Sequence, residues 1–436
     1  MKIATRLTAS LLIASVLLAG CSRSLAGESQ ITEQSLYMTP NVISERTPIT
    51  DRAAVDFNAV DHSQYQESAF NGYLEFAMEL YASEASKTDS NMMISPASIF
   101  LALGMTSAGA AGDTLTQMTD VMTPGATPEE LQGFGGYYYR TLLQNSGITL
   151  HTANSIWLNN TRADSVYQDY LDFVTLNYGA DIGMISMNSE GEETINSWVN
   201  RQTSGMIPAI ISPGSLSNDD IAVLVNAVAF ESNWEAGNLR YNRNLPFTNA
   251  DGSEARVTMI KTTSRTYISN EDAIGCTISY EGGRYVFMAL MPTDPSVDAN
   301  TFASGLTAEE YMSLWHNRSY GGVDSVYIAL PEFSYDYDTY LNSTLVGMGM
   351  TAPFSDSADF GNMSENPISI DEIIHVTHIE VDHTGTRAAA STAVVETMAV
   401  GVSPDPKYIT FDRPFIYAIV DVDTGLPLFI GTVNYL

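Results

Sequence analysis

Few residues in this 436-residue chain are spaced for bond-making chemistry. Asp423-Thr424-Gly425 has the form of half an aspartic-protease motif, and that chemistry needs two carboxylates sharing one proton. The other candidate, Asp382 followed by His383-Thr384-Gly385, matches the motif poorly, and a tight turn accounts better for Asp423. His375, His378 and His383 suggest a metal set. Residues three apart on a strand face opposite sides, so His375 and His378 do not converge and no metal is expected. No Gly-x-Ser-x-Gly nucleophile motif occurs. The chain is therefore not read as an enzyme, and no cofactor is expected.

A different kind of chemistry is suggested by Gly385-Thr-Arg-Ala-Ala-Ala-Ser-Thr-Ala-Val-Val395, a run of small and β-branched residues with no proline and one charge, Arg387. Alanine favours helix while threonine and valine favour strand, so the run has no firm local preference and can hold two conformations. As a strand it presents Thr386, Ala388, Ala390, Thr392 and Val394 on one face, all able to pack in a core, and Arg387 on the other. Glu396 falls late on the inner face. A charge early on that face would be costly to bury. Fifteen such residues span about 50 Å when extended, and the fifteenth from Gly385 is Ala399.

The elements around this segment are legible in outline. Phe70, Tyr73, Leu74, Ala77, Leu80 and Tyr81 recur at helical spacing. Thr127-Pro-Glu-Glu130 is a capped helix start. Val286–Met291 and Val326–Leu330 are short apolar strands stopped by Pro292 and Pro331. Phe415–Val420 and Leu428–Val433 form a closing hairpin turned by Asp423-Thr-Gly425.

Taken in order, several motifs resemble those of the serpin family: Asn91-Met-Met-Ile-Ser-Pro-Ala-Ser-Ile99 with Gly109-Ala-Ala-Gly-Asp-Thr114, then Ala153-Asn-Ser-Ile-Trp-Leu158 and Ile195-Asn-Ser-Trp-Val199 with Thr203-Ser-Gly205. Leu224-Val-Asn-Ala-Val-Ala-Phe230 with Asn233-Trp-Glu235, Leu330-Pro-Glu-Phe333, Ala358-Asp-Phe360 and Phe411-Asp-Arg-Pro-Phe415 continue it across roughly the last 370 residues. The resemblance implies an α+β serpin fold: a large mixed β-sheet with further sheets, about nine helices and an exposed reactive loop. It implies that residues 66–436 form one domain.

It also implies a suicide-substrate inhibitor of serine proteases, in which the cleaved loop inserts into the large sheet and carries the acylated protease with it. The reactive-loop hinge would be Gly385, Thr386, Arg387, Ala388, Ala389, Ala390, Ser391 and Thr392. Family spacing puts the scissile bond at Ala399-Val400, with Met398 the second choice, and a small Ala399 suits elastase-like or subtilisin-like targets. Ser95, Ser98, Asn226 and His375 match a buried polar cluster that controls sheet opening in the family. One departure is His383, where serpins commonly carry an acid. The alternative is a non-inhibitory serpin-fold binding module cleaved as a simple substrate.

The N-terminus reads as a targeting segment. Lys2 and Arg6 precede a short apolar run, Leu7–Leu18, which ends in Leu18-Ala-Gly-Cys21 and resembles a lipoprotein processing site. Residues 1–20 are thus expected to be a signal peptide, Cys21 the lipid attachment site and 21–65 a flexible tether reaching about 35–40 Å. The expected location is extracytoplasmic, on the cell envelope, with the lipid membrane as a partner through acylated Cys21. Cys276 alone then remains, and it is read as a small core residue.

The chain has 19 basic and 51 acidic residues, a net charge of −32. Nucleic acid is therefore a poor partner. The serpin region that binds polyanions in heparin-dependent members carries only Arg140 here, so no polyanion cofactor is expected. The acidity is read as solubility or a saline habitat, with steering of a basic partner as the alternative. A monomer is expected.

Overall fold

The computed structural model describes residues 9–15, 55, 60, 67–143, 149–236, 239–320, 326–386 and 406–436. Among these are nine α-helices: α1 (Glu67–Ala85), α2 (Pro96–Ala108), α3 (Gly112–Met122), α4 (Pro128–Leu143), α5 (Gln168–Tyr178), α6 (Ser189–Gln202), α7 (Ala299–Ser304), α8 (Ala308–His316) and α9 (Asn342–Gly347). They pack on three sheets, so the architecture is mixed α+β, as the sequence leads one to expect.

The large sheet contains β1 (Ala9–Ser15), β3 (Thr149–Asn159), β4 (Asp181–Ile185), β5 (Ala222–Asn233), β13 (Phe333–Tyr340), β14 (Ile368–Val381) and β15 (Gly385–Thr386). Its centre decides how the molecule can work. Both β5 and β14 pair with β15 at one end and with β1 at the other. β15 runs antiparallel to both strands, whereas β1 runs parallel to both.

A second sheet is built from β2 (Met92–Ile94), β8 (Thr266–Ser269), β9 (Ala273–Ser279), β10 (Tyr285–Pro292), β11 (Ser319–Tyr320), β17 (Phe415–Asp421) and β18 (Pro427–Val433). β10 and β17 are buried along their whole length, and they read as continuous apolar runs for that reason. The third sheet has the order β16 (Lys407–Thr410), β12 (Val326–Pro331), β7 (Glu254–Ser264), β6 (Arg240–Thr248).

Helix α2 is the element that places the polar cluster. All of its residues, Pro96 to Ala108, are buried; most are apolar, and the hydroxyls of Ser98, Thr106 and Ser107 are hydrogen-bonded. Ser95 caps it by accepting from the Ser98 N–H, and Pro96 starts it where a missing N–H costs nothing. Helix α4 begins with the reciprocal Thr127 and Glu130 bonds of a capping box.

The N-terminal expectations meet the structure in two places. Ala9–Ser15, inside the stretch read as leader, forms β1 within the large sheet. Val55, inside the stretch read as tether, is 1% exposed, and its carbonyl accepts from the Asn362 amide at 3.4 Å. Contact with the domain thus begins ahead of residue 66. Cys21 lies outside the described residues.

Candidate functional site

The site has two parts along one strip of the large sheet. The first is where β14 turns back into β15. Asp382 closes this turn, its carboxylate accepting from the Thr384 N–H at 2.6 Å and the Gly385 N–H at 3.1 Å. Trp234 holds the turn from below, donating its indole N–H to the Asp382 carbonyl at 2.8 Å and its backbone N–H to the Thr384 carbonyl at 3.0 Å. Gly385 then lies opposite Asn233, and Thr386 opposite Ser232. A Cβ on Gly385 would fall 2.1 Å from the Ser232 carbonyl oxygen, so only glycine fits this approach. Thr386 is 3% exposed, its hydroxyl 2.5 Å from that of Tyr280, which stacks on Trp234. Burial raises the Tyr280 phenol far above its ordinary pKa, so it stays protonated and can donate.

His383, the departure from the family pattern, has a specific neighbour. Its Nδ1 lies 2.9 Å from Glu332 Oε1, and its backbone N–H donates to the same carboxylate at 3.2 Å. Glu332 thus brings a second carboxylate to this turn, beside that of Asp382.

The second part lies below the sheet centre. Buried His375 accepts the Ser95 N–H on Nε2 at 3.0 Å. Ser95 donates its hydroxyl to the Leu428 carbonyl at 2.8 Å. Ser98 donates to the Asn226 carboxamide oxygen, and the Asn226 amide donates to Asn154, which donates in turn to the Tyr178 carbonyl. The structure therefore brings Ser95, Ser98, Asn226 and His375 to one buried place and adds Asn154. Burial lowers the His375 pKa to about 3, so the ring is neutral and its Nε2 lone pair is free to accept.

The remaining candidates lie elsewhere. His378 faces away from His375, its Nδ1 2.6 Å from Asp336. Among the described residues, no three histidine, cysteine or acidic side chains gather as a metal site. Asp423 sits in the turn between β17 and β18, where Gly425 has φ 77°. Cys276 is buried. Arg387, Ala388, Ala389, Ala390, Ser391, Thr392, Ala399 and Val400 lie outside the described residues.

Sequence reasoning missed Asn154 and Glu332. Asn154 carried no distinct signal, because its strand also holds Thr152, Ser155 and a second carboxamide, Asn159. Glu332 carried none, because its partner is 51 positions away.

The serpin (serine protease inhibitor) family model matches residues 71–436. The chain belongs to the serpin family. The solved structure of tengpin, a thermophilic serpin, in its native state is similar at 32% identity and a TM-score of 0.77, covering 88% of this chain and all of that one. A serpin-like protein of Thermococcus kodakarensis is 30% identical, with 84% of this chain and 85% of that protein covered. Leukocyte elastase inhibitor A of Mus musculus is 29% identical, with 82% and 97% covered. Serpins generally inhibit proteases and are not catalysts themselves.

Proposed function

We propose that this serpin is a suicide-substrate inhibitor that traps an elastase-like or subtilisin-like serine protease. The carrying observation is the central seam of the large sheet. Gly385 and Thr386 already occupy its upper end as a two-residue strand, in the antiparallel sense that an entering loop requires.

Continuing the register down the seam makes a specific arrangement. Ala388 would come opposite Phe230, Ala390 opposite Val228, Thr392 opposite Asn226 and Val394 opposite Leu224. On the other side the same count brings Thr392 opposite His375. Thr392, the hydroxyl residue deep on the inward face, would thus meet the polar cluster, and the inward alanines would meet apolar neighbours. Ser15 now holds the backbone position between Asn226 and His375.

The protease serine would attack at Ala399-Val400 and form an acyl-enzyme. Insertion of the freed arm would then move the acylated enzyme before water reaches the ester. Small Ala399, and the similarity to a leukocyte elastase inhibitor, support a target with a small primary pocket. Processing before Cys21 and acylation there would place the inhibitor on a membrane surface outside the cytoplasm, the tether holding it away from the lipid.

The test is to mix the domain lacking residues 1–21 with elastase-like and subtilisin-like proteases. A trap gives a covalent adduct that survives detergent. A serpin-fold module that is merely cut gives free protease and nicked chain, and that outcome overturns the proposal.

A further inference from the structure

Although the chain carries −32 overall, one surface has the opposite sign. On the third sheet Arg240 lies directly opposite Lys261, and Lys261 opposite Ala329. Tyr327 lies opposite both Tyr408 and Thr263. Ala329 and Tyr327 are two apart on one strand, so Arg240, Lys261, Tyr327 and Tyr408 share a face. Arg240 and Lys261 are exposed, and Tyr408 is 71% exposed.

Three features indicate a docking surface. Like charges directly opposite one another on a sheet repel, and neither Arg240 nor Lys261 has an ion-pair partner among the described residues. Exposed Tyr408 stacks on half-buried Tyr327 at 5.1 Å and 15°, an aromatic platform beside cations. Tyrosine and arginine are the residues enriched where interfaces bind most strongly. Finally, β16 begins at Lys407, seven positions after Val400, so the face lies at the exit of the reactive loop. Three strand spacings carry it about 14 Å from there to β6.

We propose that this face is an exosite for the attacking protease, and that the protease it prefers carries carboxylates beside its active-site cleft. The inference rests on the loop being the protease's point of attack, as proposed above, but not on trapping. The overall negative charge of the serpin opposes an acidic enzyme at long range. Beyond about 8 Å at physiological salt that field is screened, so contact charges decide.

The test uses subtilisin and the same enzyme succinylated on its lysines, each scaled by its activity on a small peptide substrate. The rate of loop attack is measured whether it ends in adduct or in cut chain. For the double variant Arg240→Glu with Lys261→Glu, the ratio of the succinylated to the unmodified rate should fall about tenfold relative to the parent. Tyr408→Ala should slow both forms. An unchanged ratio overturns the exosite. So does acceleration of the parent by dextran sulfate that the double variant loses, which would make the face a polyanion site. Failure of trapping is read separately, as loop cleavage without adduct.

Discussion

Thr386 shows how much one side chain can decide. It is buried at the first inward position of the hinge, against Tyr280, so a charge there enters the sheet before any other part of the arm. Thr386→Arg should therefore slow insertion enough for the acyl bond to hydrolyse, converting inhibitor into substrate. Adduct yield on a denaturing gel should collapse while loop cleavage persists; adduct at parental yield would show that the register is wrong. His375 makes a prediction about acid. Its folded pKa, about 3, lies below the ordinary 6.5, so the unfolded chain binds the extra proton first. This contribution to stability is whole above pH 6.5 and is lost as pH falls toward 3, by up to roughly 5 kcal/mol. Denaturant midpoints of the parent should drop across that window, and a His375→Gln variant should show a flatter profile.

Among the elements, β15 and α2 were legible to different degrees. The small, proline-free run after Gly385 marks a segment able to become a strand, and the structure makes its first two residues one. Local propensity could not show where that strand belongs, because pairing with β5 spans some 150 residues. The start of α2 was legible only through the family resemblance of Asn91–Ile99, and its cap residue Ser95 was readable in the same way as part of the polar cluster. Asn154 and Glu332 were not, since their roles come from partners that only the folded sheet brings near. The close approach at β15 gives a prediction of its own. Gly385→Val puts a branched side chain against the Ser232 carbonyl and should release the hinge from β5. Amide exchange at Thr386 should rise, and trapping should fall; protected exchange would show that the strand tolerates the branch.

At the scale of the molecule, the proposed mechanism needs a native fold less stable than the form with the arm inserted. Each inward residue from Ala388 to Val394 would bury its side chain and complete backbone bonds along β5 and β14. Cutting the chain near residue 399 should therefore raise the melting temperature by tens of degrees. Calorimetry of intact and nicked samples is the measurement, and equal transitions would rule out stored conformational energy. Among the described residues the one cysteine, Cys276, is buried and free, so no disulfide among them contributes to this difference.

The seam that would receive the arm is also where Ala9–Ser15 lies, bonded to both neighbouring strands. If export removes the first twenty residues, the same cut clears the groove. An unprocessed copy would carry its own safety catch, harmless to proteases of the cytoplasm where it is made. Maturation and arming would then be a single event.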